Sequence, residues 1–141
     1  MNNEQERSPG PNILARGCAI ECFSSSARQI ELLTLFATGT RYPTGPEAVR
    51  LWMRGAMNGQ TGIRLNVCVV SSGKPVQRSQ SCSAVSATEL YILADPPVDL
   101  QRDAKRFLCS FQVDGHRRLL VTVFDNLSRK TLLNDHPVVR L

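Results

Sequence analysis

Short runs in which every second residue is apolar recur along the chain, separated by turn-forming residues, and this period-two pattern predicts β-strands. Residues 16–23 make a small strand that ends at Ser24-Ser25-Ser26. Residues 29–36 (QIELLTLF) make a second, stopped by the Thr38-Gly39-Thr40 turn and Pro43. Residues 48–53 (AVRLWM) put Val49, Leu51 and Met53 on one face. Val49, Trp52 and Met53 would also suit a helical turn, but the preceding Tyr42-Pro43-Thr44 favours extended backbone. A glycine-bearing loop over 55–62 leads to residues 63–70 (IRLNVCVV), with Ile63, Leu65, Val67 and Val69 inward. Ser71-Ser72-Gly73-Lys74-Pro75 is the next turn, residues 79–86 are polar and carry little signal, and residues 89–93 form a short strand closed by Asp95-Pro96-Pro97.

The strongest hairpin follows. Phe107, Cys109, Phe111 and Val113 share one face, Asp114-Gly115-His116-Arg117 turns the chain, and Leu119, Val121 and Val123 line the returning strand. A last run over 131–141 contains Pro137 and so suits an edge strand. About six to eight strands at this spacing predict an all-β, antiparallel β-sandwich. The main helical candidate is one short segment over 99–105. Residues 1–12 are polar, hold Pro9, Gly10 and Pro11, and read as a flexible leader to a single domain over 13–141.

Composition narrows this picture modestly. The 141 residues suit one domain with one core. The balance of 17 Lys+Arg against 12 Asp+Glu, a net +5, permits acidic partners. The cations are scattered, and stacking aromatics do not alternate with them, which disfavours a nucleic-acid surface. The five cysteines form no CxxC pair, and His116 and His136 have no cysteine spaced for zinc, so no metal site is expected. Cys68 and Cys109 lie in apolar runs and read as reduced core thiols, which suits a cytoplasmic protein. The N-terminus lacks the apolar core of a secretory signal, and no apolar stretch is long enough for a membrane helix.

The chain offers no constellation for catalysis, and a non-enzymatic role without a cofactor is expected. It has neither a Gly-rich phosphate loop nor a GxSxG elbow. Its serines cluster in loops, where hydroxyls bond their own backbone. Asp95, Asp99 and Asp103 recur at every fourth position, as caps or solvated groups do. His116, in a turn, reads as exposed and idle. The lone tryptophan, Trp52, suits core packing or, more sharply, a ligand groove.

Three stretches together carry a resemblance. The first is Gly17-Cys18-Ala19-Ile20-Glu21-Cys22-Phe23, then Leu32-Leu33-Thr34-Leu35-Phe36 and Thr40-Arg41-Tyr42-Pro43-Thr44. The second is Asp95-Pro96-Pro97 with Phe107 ten residues on, and the third runs from Phe111 to Val123 (FQVDGHRRLLVTV). In this order and near this spacing they resemble G-I-E-T…L-I…N-T-x-x-P-T, I-x-P-A-P-x-G and F-D-I-D-A-N-G-I-L-x-V-S-A of the peptide-binding β-sandwich of DnaK-type chaperones, the heat-shock protein 70 family. The resemblance spans about residues 13–141. It departs at the last turn, where Gly115 follows Asp114 directly and Arg117 stands where the family has glycine. Cys22 replaces the threonine, and the loop over 56–61 looks longer.

The resemblance implies chaperone-like binding of an extended apolar peptide in a channel between loops at one end of the sandwich. Main-chain hydrogen bonds would hold the peptide and a pocket would take a Leu-like side chain. Carried over by position, the channel includes Ile20, Cys22 and Phe23, then Leu51 and Met53, then Ile63 and Leu65. An inward apolar residue on a strand is otherwise core. The sequence contains neither the family's ATPase domain ahead of residue 13 nor a helical lid after Leu141, so ATP would act only through a separate ATPase or co-chaperone. The alternative is a structural subunit whose channel has degenerated and which docks to a partner protein or forms a homo-oligomer through its sheet edges.

Overall fold

The computed structural model describes residues 12–24, 29–70 and 87–141. Among these residues it contains eight strands and no helix: β1 (Gly17–Ser24), β2 (Gln29–Phe36), β3 (Val49–Met53), β4 (Gly62–Val70), β5 (Ala87–Leu93), β6 (Phe107–Val113), β7 (Arg118–Asp125) and β8 (Lys130–Arg140). They form two antiparallel four-stranded sheets, ordered β2-β1-β4-β5 and β3-β6-β7-β8. The all-β sandwich expected from the period-two pattern is the fold observed. Residues 1–11 of the expected leader, the turn expected over 71–75 and the polar stretch over 79–86 lie outside the described residues.

The alternation decides which side chains fill the space between the sheets. Phe107, Cys109, Phe111 and Val113 of β6, with Leu119, Val121 and Val123 of β7, are completely buried. Ile63, Leu65, Val67 and Val69 of β4 and Ile20 of β1 meet them in the same core cluster. Leu14, Val98 and Leu141 are buried there too, outside the strands. At about 25 cal/mol per Å² of apolar surface, this inter-sheet layer is the main source of stability.

Two helical options of the sequence are not taken. Residues 49–53 pair as a strand along β6, from Val49↔Phe111 to Met53↔Phe107. Residues 99–105 form turns held by side chains: the Asp103 carboxylate accepts the Asp99 amide at 2.9 Å, and Asp99 Oδ1 accepts the Gln101 amide at 3.0 Å. Such local side-chain bonding competes with a helix ladder. Pro137 sits in β8, which is an edge strand and tolerates the missing donor.

The β6–β7 hairpin closes as a loop over 115–117, with the Asp114 amide donating to the Arg118 carbonyl at 3.0 Å and the Arg117 amide donating to the Asp114 carbonyl at 3.1 Å. Asp114 Oδ1 also accepts the His116 and Arg118 amides, each at 2.9 Å. Arg117 takes a left-handed φ of 64°, the conformation this loop type requires at its last position.

The cysteines require one correction. Cys18 and Cys109 are free and buried, and burial pushes each thiol up to about 12. Cys68 is instead disulfide-bonded. The reason lies in the alternation: Val67 and Val69 point into the core, so Cys68 takes the opposite side of β4, opposite Ala19 and Ala87. With Cys68 oxidised, the cysteines give no support to a reducing compartment. No helix among the described residues is long and apolar enough to cross a membrane.

Candidate peptide channel

A cavity of about 810 Å³ lies between the two sheets. Its lining comes from β1, β3, the segment after β3, and β4. β1 and β4 are the paired central strands of one sheet, whereas β3 is the edge strand of the other. β3 bonds only to β6 among the described strands, which leaves its far side without a ladder partner there. Among the described residues the sandwich is open along this edge.

The sequence singled out seven channel residues, and six of them line this cavity: Ile20, Cys22, Leu51, Met53, Ile63 and Leu65. Ile20, Ile63 and Leu65 are almost wholly buried and form the floor, continuous with the core. Cys22, Leu51 and Met53 are half-buried and pack against that core. Core and channel are therefore the same side chains seen from two sides. The seventh, Phe23, pairs through its backbone with Ile30, and its side chain lies outside the described residues.

Trp52, Arg54, Glu21 and Arg64 also line the cavity. Trp52 is 40% exposed and is not a core residue. Arg54 follows directly on β3 and is exposed. Arg54, Glu21 and Arg64 were not legible as site residues, because they are charged and alternation assigns Arg64 to solvent. Glu21 accepts a hydrogen bond from the Asn66 amide at 3.0 Å, and Arg64 faces Glu89 at 3.7 Å. Cys22 is a free thiol whose pKa is raised, first by burial and then by the negative charge of Glu31.

The segment between β3 and β4 is held in place rather than loose. Gln60 Oε1 accepts the Ala56 amide at 2.8 Å and the Met57 amide at 3.3 Å. The Gly59 amide donates to the Val98 carbonyl at 2.7 Å, and the Val98 amide donates to the Gln60 carbonyl at 2.8 Å. Gly55 lies so close to Val98 that a Cβ would meet its methyl at 2.7 Å. This wall of the cavity is thus tied to the segment that follows β5.

Among the described residues, no group of three or more His, Cys, Asp or Glu side chains could hold a metal ion. No family model matches this chain, and no curated protein or solved structure matches it.

Proposed function

We propose that this protein binds extended apolar peptide segments, as the DnaK-type peptide-binding sandwich does, with the cavity between β1, β3 and β4 as the side-chain pocket. The observation that carries this reading is the convergence of Ile20, Cys22, Leu51, Met53, Ile63 and Leu65 on one cavity, because they come from three separate stretches of the chain. The apolar part of the cavity lining suits aliphatic side chains, and the side of β3 that pairs with no described strand offers backbone donors and acceptors to an extended chain. A second observation supports the alignment behind the reading. Arg117, standing where the family has glycine, carries the left-handed backbone that glycine favours.

Burying one Leu-sized side chain contributes roughly 2–3 kcal/mol. Ordering the peptide offsets much of that, so a single site exchanges its ligand quickly. The role fits a holder of unfolded segments. A collapsed channel serving only subunit contacts is the weaker reading, since an open cavity of about 810 Å³ lies between β3 and the β1–β4 pair.

The test is a titration of a labelled Leu-rich heptapeptide, read by anisotropy and by the emission of Trp52, the single tryptophan. Saturable binding with a shift in Trp52 emission is expected. Leu51→Glu and Met53→Glu, on the half-buried wall and checked for folding by circular dichroism, should each weaken binding at least about tenfold, since each puts a charge into an apolar pocket. Absence of binding at high protein concentration overturns the proposal.

A further inference from the structure

Arginines that are scattered along the chain gather at one end of the sandwich. Arg118 of β7 and Arg140 of β8 are direct cross-strand partners. The Leu141 amide donates to the Arg117 carbonyl at 2.7 Å, and Arg16, just before β1, donates to the Arg140 carbonyl at 2.7 Å. Arg41 sits on the segment over 40–44, which bonds to Asn12 and Leu14 on one side and to Val113, the last residue of β6, on the other. Carboxylates are few here. Asp114 pairs with Arg118 at 2.8 Å, and Glu47 is matched by Arg50 at 3.9 Å. Arg16 bonds a neutral carbonyl, and the side chains of Arg41, Arg117 and Arg140 make no hydrogen bond or ion pair with a described residue. With Asp114 and a terminal carboxylate at Leu141 both counted, three of these five positive charges stay unmatched.

Folding alone does not ask for arginine at these positions. Like charges directly opposite each other in a ladder, as Arg118 and Arg140 are, destabilise it. Arg117 holds a left-handed φ of 64° that glycine would adopt without strain. Local costs of this kind gather at functional sites. We propose that this basic end docks an acidic segment of a partner protein, with Arg41, Arg117 and Arg140 as the cations that meet its carboxylates. Arginine suits that ligand, because its planar fork takes a carboxylate through two parallel hydrogen bonds. Tyr42, the aromatic residue beside Arg41, packs against the core and so offers no free ring on which a nucleic-acid base could stack. The surface is separate from the channel: Met53 of the channel pairs with Phe107 at the start of β6, whereas the arginines lie beyond Val113 at its end. At about 3.4 Å per residue, β6 puts roughly 20 Å between them.

The experiment titrates the whole chain against a labelled peptide of alternating Glu and Gly, its Gln-for-Glu counterpart and a duplex oligonucleotide, at low and high salt, read by anisotropy. The Glu peptide should bind saturably and the Gln peptide should not, and high salt should weaken the binding at least about tenfold. Arg117→Gln with Arg140→Gln, checked for folding by circular dichroism, should weaken it about tenfold, the size expected for two solvent-exposed pairs. Arg41→Gln alone, on an exposed segment, should weaken it about threefold. Lys105→Gln with Lys130→Gln removes the same charge from exposed positions at the far end and should change it less than twofold. Equal binding of the Glu and Gln peptides, equal losses from the arginine and lysine pairs, or tighter binding of the oligonucleotide than of the Glu peptide overturns the proposal.

Discussion

Arg106 is 2% exposed, yet it carries a full charge. It survives burial because two carboxylates surround it. Its Nε and Nη2 donate to Asp125 at 2.9 and 3.0 Å, and its Nη1 donates to Asp103 at 2.9 Å. Asp125 in turn accepts the Leu127 and Ser128 amides and so shapes the turn before β8. The hydrogen bond from Arg102 does most to hold Asp103 far below the usual carboxylate range; burial opposes it, and the Asp99 amide and Arg106 reinforce it. At Asp125 burial pushes upward, but Arg106 and the turn amides outweigh it and the pKa is lowered. Removing the cation alone strands two buried carboxylates, so Arg106→Met should cost about 3–5 kcal/mol in denaturant unfolding at neutral pH. The pH dependence follows from the sign of the shifts. Folded values below the unfolded one, about 3.9, give stability that is present above that value and lost as pH falls through the folded values. The gap between wild type and Arg106→Met should therefore narrow as unfolding is measured from about pH 7 towards about pH 3.

At the scale of elements, β6 and β7 show how far local pattern can specify structure. Their strict alternation, an Asp-Gly turn and a run of aliphatic residues fix register, face and hairpin together. The loop contains one local conflict. Arg117, with its Cβ, occupies a left-handed conformation that costs a side-chain-bearing residue roughly 1–2 kcal/mol. Arg117→Gly relieves this at the expense of a more flexible unfolded chain. The net expectation is a gain of up to about 1 kcal/mol, seen as a raised Tm with peptide affinity unchanged. A lowered Tm would mean that the Arg117 side chain stabilises the fold by more than its backbone costs. β3 is the contrasting element. It is short, has one ladder partner and mixes Arg50 and Trp52 with apolar residues, so its pattern alone left a helical turn open. Pairing with β6 settled the matter.

Over the whole molecule, the cavity exists because an edge strand of one sheet faces the central strands of the other. That arrangement gives the free thiols different surroundings. Cys18 and Cys109 are buried in the core, whereas Cys22 is half-buried on the cavity wall. In native protein, iodoacetamide should modify Cys22 well before Cys18 or Cys109. Because the Cys22 pKa is raised, the reaction should be slow at neutral pH and quicken under alkaline conditions. Saturating Leu-rich peptide should slow it further, as peptide mass mapping of the labelled sites would reveal. Labelling of Cys22 that the bound peptide leaves unchanged would place the ligand away from this cavity.

Most of the strands and their inward faces, β3 excepted, were legible in the sequence, because a period of two is a local property that follows from backbone geometry. The sequence also picked out the apolar residues that line the cavity, although only a resemblance to a known sandwich suggested that Ile20, Leu51 and Ile63 belong together. Tertiary structure decided what local pattern cannot encode. It paired β3 with β6, opened the space between sheets and put Trp52 and Arg54 on its wall. It turned Asp103, one of three evenly spaced aspartates, into the buried partner of an arginine, and set Cys68 on the side of β4 away from the core. Each of these outcomes depends on which residues far apart in the chain become neighbours, and alternation along one strand carries no information about the strand it will face.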